Sequence, residues 1–145
     1  MKTLRHFSYE EIISYIPEKP NNSKIIIDNY TFKTGSDRLV LFKKNNKCVC
    51  CNLIGNKFLL QIEDNHYSPH LNLYNDDILF TKDHILPKKL GGKDHISNYQ
   101  TLCLVCNQLK AHYLVKLNTL KEAKKMLDEN VSKLSIENYL INNQL

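Results

Sequence analysis

Arginine is nearly missing from this chain: Arg5 and Arg38 are its only two, so almost all of its positive charge is lysine. Lysine meets a phosphate as a point charge, whereas the arginine fork suits base edges. Any nucleic-acid contact is therefore expected to follow the backbone, with little sequence preference. No apolar run approaches the ~18 residues of a membrane span, and no membrane-spanning helix is expected. The start, MKTLRHFSYEE, lacks the apolar stretch of a secretory signal. A reducing, cytoplasmic location is the expectation, and there paired cysteines bind metal more often than they form disulfides. No internal repeat, low-complexity tract or clear linker is found.

What is present suits one domain: 145 residues, 42% hydrophobic and 24% charged. The formal charge of +5 is moderately basic. It falls to about +3 if four thiolates hold one zinc ion, so net charge alone points only weakly to a nucleic-acid partner.

In chain order, Ser8-x-x-Glu11 reads as a capping box opening a helix with Tyr9, Ile12, Ile13 and Ile16 on one face, ended by Pro17 and Pro20. Strands are expected at 24–27, 30–32 and 39–42, the last two joined by Gly35-Ser36-Asp37. Three further apolar runs, 58–62, 70–74 and 78–81, fit an antiparallel meander that delivers Asp83 and His84 at a strand end. Thr119-x-x-Glu122 predicts another helix with Leu120, Ala123 and Leu127 inward. Ser135 is expected to cap a last helix carrying Ile136, Tyr139 and Leu140.

The five cysteines are Cys48, Cys50, Cys51, Cys103 and Cys106. Cys48, Cys51, Cys103 and Cys106 form two C-x-x-C knuckles, each able to place two thiolates on a tetrahedral zinc ion. Four protein ligands leave no open position, so this zinc would be structural. Cys50 competes with Cys48 or Cys51, though its spacing suits the turn less well.

Between and beside these knuckles lies TKDHILPKKLGGKDHISNYQTLCLVCNQLKAH. An imidazole near its unperturbed pKa can take a proton from water, and a carboxylate with an amide oxygen suits Mg²⁺. Asp83 and His84 are adjacent, so on a regular strand they point to opposite faces, and a bend near Pro87 is expected to bring both to one site.

DHILPKKLGGKDHISNYQTLCLVCNQLKAH, with Cys48-x-x-Cys51 upstream, resembles the HNH endonucleases, and HLNLY…FTKDHILPK resembles a phage-type HNH subgroup. The resemblance implies an α+β fold. Its centre would be a zinc-stapled ββα-metal (HNH/His-Me finger) core with an antiparallel strand meander and flanking helices. The expected divisions are 1–47 for packing or substrate contact, 48–113 for the nuclease core and 114–145 for C-terminal helices. By matching position, His84 is similar to the family's general base, Asp83 and Asn107 to its metal ligands, and Asn98 to the central Asn that holds the loop. Lys110 and His112 fall where helix residues touch phosphate, and Lys88 and Lys89 flank the site. The resemblance implies structural Zn²⁺, catalytic Mg²⁺ (or Mn²⁺) and duplex DNA cut to 5′-phosphate and 3′-hydroxyl ends. It leaves open a branched-DNA resolvase, an RNA-cutting nuclease and a silent zinc-containing nucleic-acid-binding module. The Lys-, Asn- and Ile-rich composition suits an AT-rich phage or bacterium, with a host's cytoplasm as the location in the phage case.

Overall fold

A computed structural model describes all 145 residues, and its central element is a five-stranded antiparallel sheet. Strand β1 (Lys2–Ser8) occupies one edge, a position the sequence did not suggest. Only Leu4 and Phe7 of β1 pack against the core, so the strand owes its existence to pairing with β4. It runs straight into α1 (Tyr9–Ile13) through the expected capping box, in which Ser8 Oγ accepts from Glu11 N and Glu11 Oε1 accepts from Ser8 N, both at 3.2 Å. The helix is short, yet Ile12 and Ile16 are both buried.

A separate hairpin follows, β2 (Lys24–Ile27) and β3 (Tyr30–Lys33). Its two-residue turn puts Asp28 (φ 51°) and Asn29 (φ 69°) in the left-handed region, the conformation that matches strand twist. The strand expected at 39–42 is instead the middle of a helix, α2 (Asp37–Lys44). Ser36 does not turn between strands; its Oγ caps the helix by accepting from Leu39 N at 3.3 Å. Asp37 in the first turn and Lys43 and Lys44 in the last complement the helix dipole. Leu39, Val40, Leu41 and Phe42 are all buried, and a four-residue apolar run carries no period by which a buried helix differs from a strand.

The three expected strands of the meander are present as β4 (Lys57–Ile62), β5 (His70–Asn75) and β6 (Ile78–His84), and a further strand, β7 (Tyr99–Cys103), extends it in the spatial order β1-β4-β5-β6-β7. Helix α3 (Leu104–Lys110) starts directly at the end of β7, followed by α4 (Leu117–Asp128) and α5 (Lys133–Asn142). Two cap assignments need correction. Helix α4 begins two residues before Thr119, with Lys116 as its cap, and Leu127 is 40% exposed. Helix α5 is capped by Ser132, whose Oγ accepts from Ser135 N at 3.2 Å. Leu120, Ala123, Ile136 and Leu140 are buried as expected.

One apolar core of 17 buried residues joins Ile12, Phe32, Phe42, Phe58, Phe80, Leu102 and Leu120 with Cys48, Cys103 and Cys106. A smaller cluster, Ala123, Ile136 and Leu140, ties α4 to α5. No helix is long and apolar enough to cross a membrane.

Candidate nuclease site and four-cysteine cluster

The sulfur atoms of Cys48, Cys51, Cys103 and Cys106 all lie within 4.8 Å of one another, and Cys50 is outside the set. Cys51 Sγ and Cys103 Sγ are 3.8 Å apart, and a tetrahedron with ~2.3 Å metal–sulfur bonds has edges of about that length. The first knuckle turns through Asn52 (φ 67°), with Asn52 N donating to Cys48 O at 3.0 Å. Val49 N donates to Thr101 O at 3.0 Å, which ties this knuckle to β7. The second knuckle is the start of α3, where Cys103 is the capping residue and Cys106 faces the core. The Cys48 thiol is held well below its ordinary range by hydrogen bonds from Cys103 and Cys106. Four convergent soft donors, three buried and Cys51 half-buried, could hold zinc and would join the first knuckle to β7 and α3.

On β6 the side chains alternate between two faces. Thr81 and Asp83 face α3. Thr81 Oγ1 donates to Leu102 O at 2.8 Å, which uses its only proton, so it must accept from Asn107 Nδ2 at 2.9 Å. Asn107 therefore turns its amide nitrogen to Thr81 and leaves Oδ1 without a protein partner. Asp83 Oδ2 accepts from Lys110 Nζ at 2.6 Å and from Gln100 Nε2 at 2.9 Å, and Oδ1 is similarly unpartnered. These two oxygens are hard ligands whose chemistry fits a divalent cation. Asn107 bonds to Thr81 and not to Asp83.

Lys82 and His84 take the opposite face, over Tyr99. The His84 ring meets Tyr99 edge-on, with centroids 5.1 Å apart, and Lys82 Nζ lies 4.1 Å from the same ring centroid. His84 Nε2 is 2.7 Å from Asp94 Oδ1. Hydrogen bonds from Lys88 and then His84 push the Asp94 carboxyl down to about 2, so it is ionised and can only accept. Nε2 therefore carries the proton, and Nδ1 keeps the lone pair that can take one from water.

The loop between β6 and β7 is closed by Asn98. Its Oδ1 accepts from Leu86 N at 2.9 Å, and its Nδ2 donates to Leu86 O at 3.0 Å and to Lys93 O at 2.9 Å. Its backbone oxygen accepts from Ile85 N at 2.8 Å. The Gly91-Gly92 pair has a steric reason. Gly91 sits at φ 90°, ending the 3₁₀ turn Lys88–Leu90, and a Cβ on Gly92 would collide with the Leu86 carbonyl.

Asp83 and His84 leave opposite faces of β6, yet both line one hollow of about 330 Å³ at the strand end. Lys88, Lys89, Lys110 and His112 line it too; Asn98 and Asn107 do not. Lys110 is 12% exposed and committed to Asp83 and to the His84 carbonyl (3.2 Å), whereas His112 is exposed, lies beyond the end of α3 and packs on the Tyr113 ring at 4.5 Å. Three residues of this site were not singled out from the sequence: Asp94, Gln100 and Thr81. Asp94-His95 repeats the Asp-His pair of 83–84 ten or so positions on, but nothing in the chain says that this carboxylate folds back onto His84.

A β-hairpin leading straight into a helix, stapled by four cysteines and carrying an acid and a histidine at its open end, is a mixed α+β ββα element. Residues 74–118, from the end of β5 into α4, match the family model described as HNH endonuclease. The match includes Cys103 and Cys106 but not Cys48 and Cys51. No curated protein and no solved structure matches the chain.

Proposed function

We propose that the protein is a metal-dependent endonuclease that hydrolyses phosphodiester bonds of duplex DNA, with His84 as general base. The observation that carries this reading is the arrival of Asp83 and His84, from opposite faces of β6, at one lysine-lined hollow. His84 Nδ1 takes a proton from water as the water oxygen attacks phosphorus. The P–O3′ bond breaks, and the leaving O3′ takes a proton from solvent, giving 3′-hydroxyl and 5′-phosphate ends. Asp94 is a positioning residue, which fixes the tautomer and rotation of His84 through Nε2. Asn98 holds the loop that places Asp94 opposite His84. Oδ1 of Asp83 and Oδ1 of Asn107 would hold a Mg²⁺ or Mn²⁺ ion, which when bound supplies charge stabilisation at the leaving oxygen. Zinc on the four cysteines is structural.

The test is incubation of zinc-loaded protein with supercoiled plasmid and Mg²⁺ or Mn²⁺, beside His84→Ala and an EDTA control. Nicked or linear product from wild type alone supports the reading. Intact plasmid in every lane overturns general duplex cleavage, and branched DNA and RNA are then the substrates to compare.

A further inference from the structure

Arg38, one of the two arginines, opens onto a pair of hollows that the catalytic assignment leaves unused. They measure about 410 and 440 Å³, and Arg38, His70 and Lys82 line both. Lys33 and Ser36 complete one, and Gln61, Asn72 and Thr81 the other. Arg38 lies in the first turn of α2, half-buried, with Nη2 donating to Leu71 O at 2.7 Å and its guanidinium 5.7 Å from the Phe42 ring centroid. That carbonyl takes one of five N–H donors, and the others have no partner in the protein. Asp37 and Glu63 also line the hollows, but no carboxylate forms an ion pair with Arg38, Lys33 or Lys82.

A guanidinium drawn partly out of water without a counter-ion is costly unless an anion meets it. Burial lowers the pKa of Arg38, and His70 is held below its usual value by burial and then by the charge of Arg38. The charge of Arg38 is thus felt at His70, and no carboxylate pairs with the guanidinium directly. Lys82 also ties these hollows to the strand that carries the candidate active site. Lys82 is two residues, about 7 Å of extended strand, from His84, and both side chains meet the Tyr99 ring.

We propose that this pair of hollows is a second phosphate site, in which Arg38, Lys33 and Lys82 hold a backbone phosphate of the nucleic acid beyond the bond being cut. The identity of the ligand rests on the nuclease reading; the anion site itself rests on Arg38 and its neighbours. The fork of Arg38 suits a tetrahedral oxyanion, and the two lysines add charge on either side without base reading.

Binding by zinc-loaded protein without added Mg²⁺ or Mn²⁺ separates this proposal from the catalytic one. A fluorescent 20-base-pair duplex is titrated with His84→Ala protein, with and without the double substitution Lys33→Gln and Lys82→Gln, at several salt concentrations. The expected result is affinity weakened about five- to tenfold and a salt slope shallower by about one to two ions. Arg38→Gln, compared per folded molecule with its melting curve alongside, is expected to weaken binding at least as much. Unchanged affinity and slope in the double variant overturns the site, as does no measurable duplex binding by the parent. Weakened binding alongside a wild type that cuts nothing would keep the phosphate site and sink the nuclease. Cleavage by wild type with unchanged binding in the variants would do the reverse.

Discussion

Asp83 and Lys110 form the most buried ion pair of the chain, with side chains 16% and 12% exposed and Nζ 2.6 Å from Oδ2. The ammonium also reaches the carbonyl oxygen of His84 at 3.2 Å, so one cation joins the two residues at the strand end. It stands against the carboxylate assigned to a divalent ion. Removing it should ease metal entry. Lys110→Met is expected to tighten Mn²⁺ binding about three- to tenfold, the size of a partly screened charge–charge term. Titration calorimetry on the zinc-loaded protein reads this directly. Looser binding would mean that Lys110 is needed to orient Asp83.

Asp94→Ala is expected to lower kcat about 10- to 100-fold with little change in KM, because it frees the His84 ring without removing the base. Asp94→Asn should keep part of the orientation through Oδ1 but lose the charge. The sign of the pH effect follows from the depressed carboxyl. Asp94 contributes fully above the ordinary carboxylate pKa, and its contribution fades only as pH falls from about 4 to about 2. Between pH 5 and 9 the wild-type rate profile should therefore carry no limb from Asp94. A second acidic limb in that interval, beyond the one a general-base histidine supplies, that disappears in Asp94→Asn would contradict this.

Gly92→Ala is expected to damage the loop more than Gly91→Ala. A methyl on Gly92 meets the Leu86 carbonyl, which Asn98 Nδ2 already holds, whereas Gly91 has open space and only its φ of 90° to strain. The costs are about 1–3 kcal/mol for the collision and about 1 kcal/mol for the strain. Hydrogen exchange of the Ile85 and Leu86 amides, which bond to Asn98, should speed up in Gly92→Ala first.

Chelation of zinc with a strong ligand should abolish the cooperative thermal transition, since the cluster joins β7, α3 and the first knuckle within the core. Serine at any of Cys48, Cys51, Cys103 or Cys106 should cut zinc content well below one ion per chain, while Cys50→Ser retains it. Metal analysis after dialysis decides. Loss of zinc in Cys50→Ser alone would reassign the first knuckle.

Ala111 adopts φ 46°, ψ −125° immediately after α3, a conformation that glycine holds more cheaply. Ala111→Gly is expected to raise the melting temperature modestly, by about 1 kcal/mol of stability or less. A fall in melting temperature would show that the methyl packs usefully there.

Some of this protein was determined by local chemistry and could be read without coordinates. The Ser8–Glu11 capping box, the three apolar runs of the meander and the two C-x-x-C knuckles each depend on residues a few positions apart. Backbone geometry brings such neighbours together whatever the rest of the chain does. The resemblance carried by DHILPKKLGG…NYQTLCLVCN likewise lies within one short stretch. Other features needed the tertiary structure. Strand β1 exists because β4 offers an edge, and α2 is a helix because buried surroundings leave its apolar run on every side. Asp94 reaches His84, Lys110 reaches Asp83 and Asn107 turns to Thr81 through contacts 10 to 27 residues apart. Such contacts have no spacing rule, because their partners are set by how the loop closes and how α3 packs on β6 and β7. The residue types of the site were legible; which side chain holds which was decided by packing.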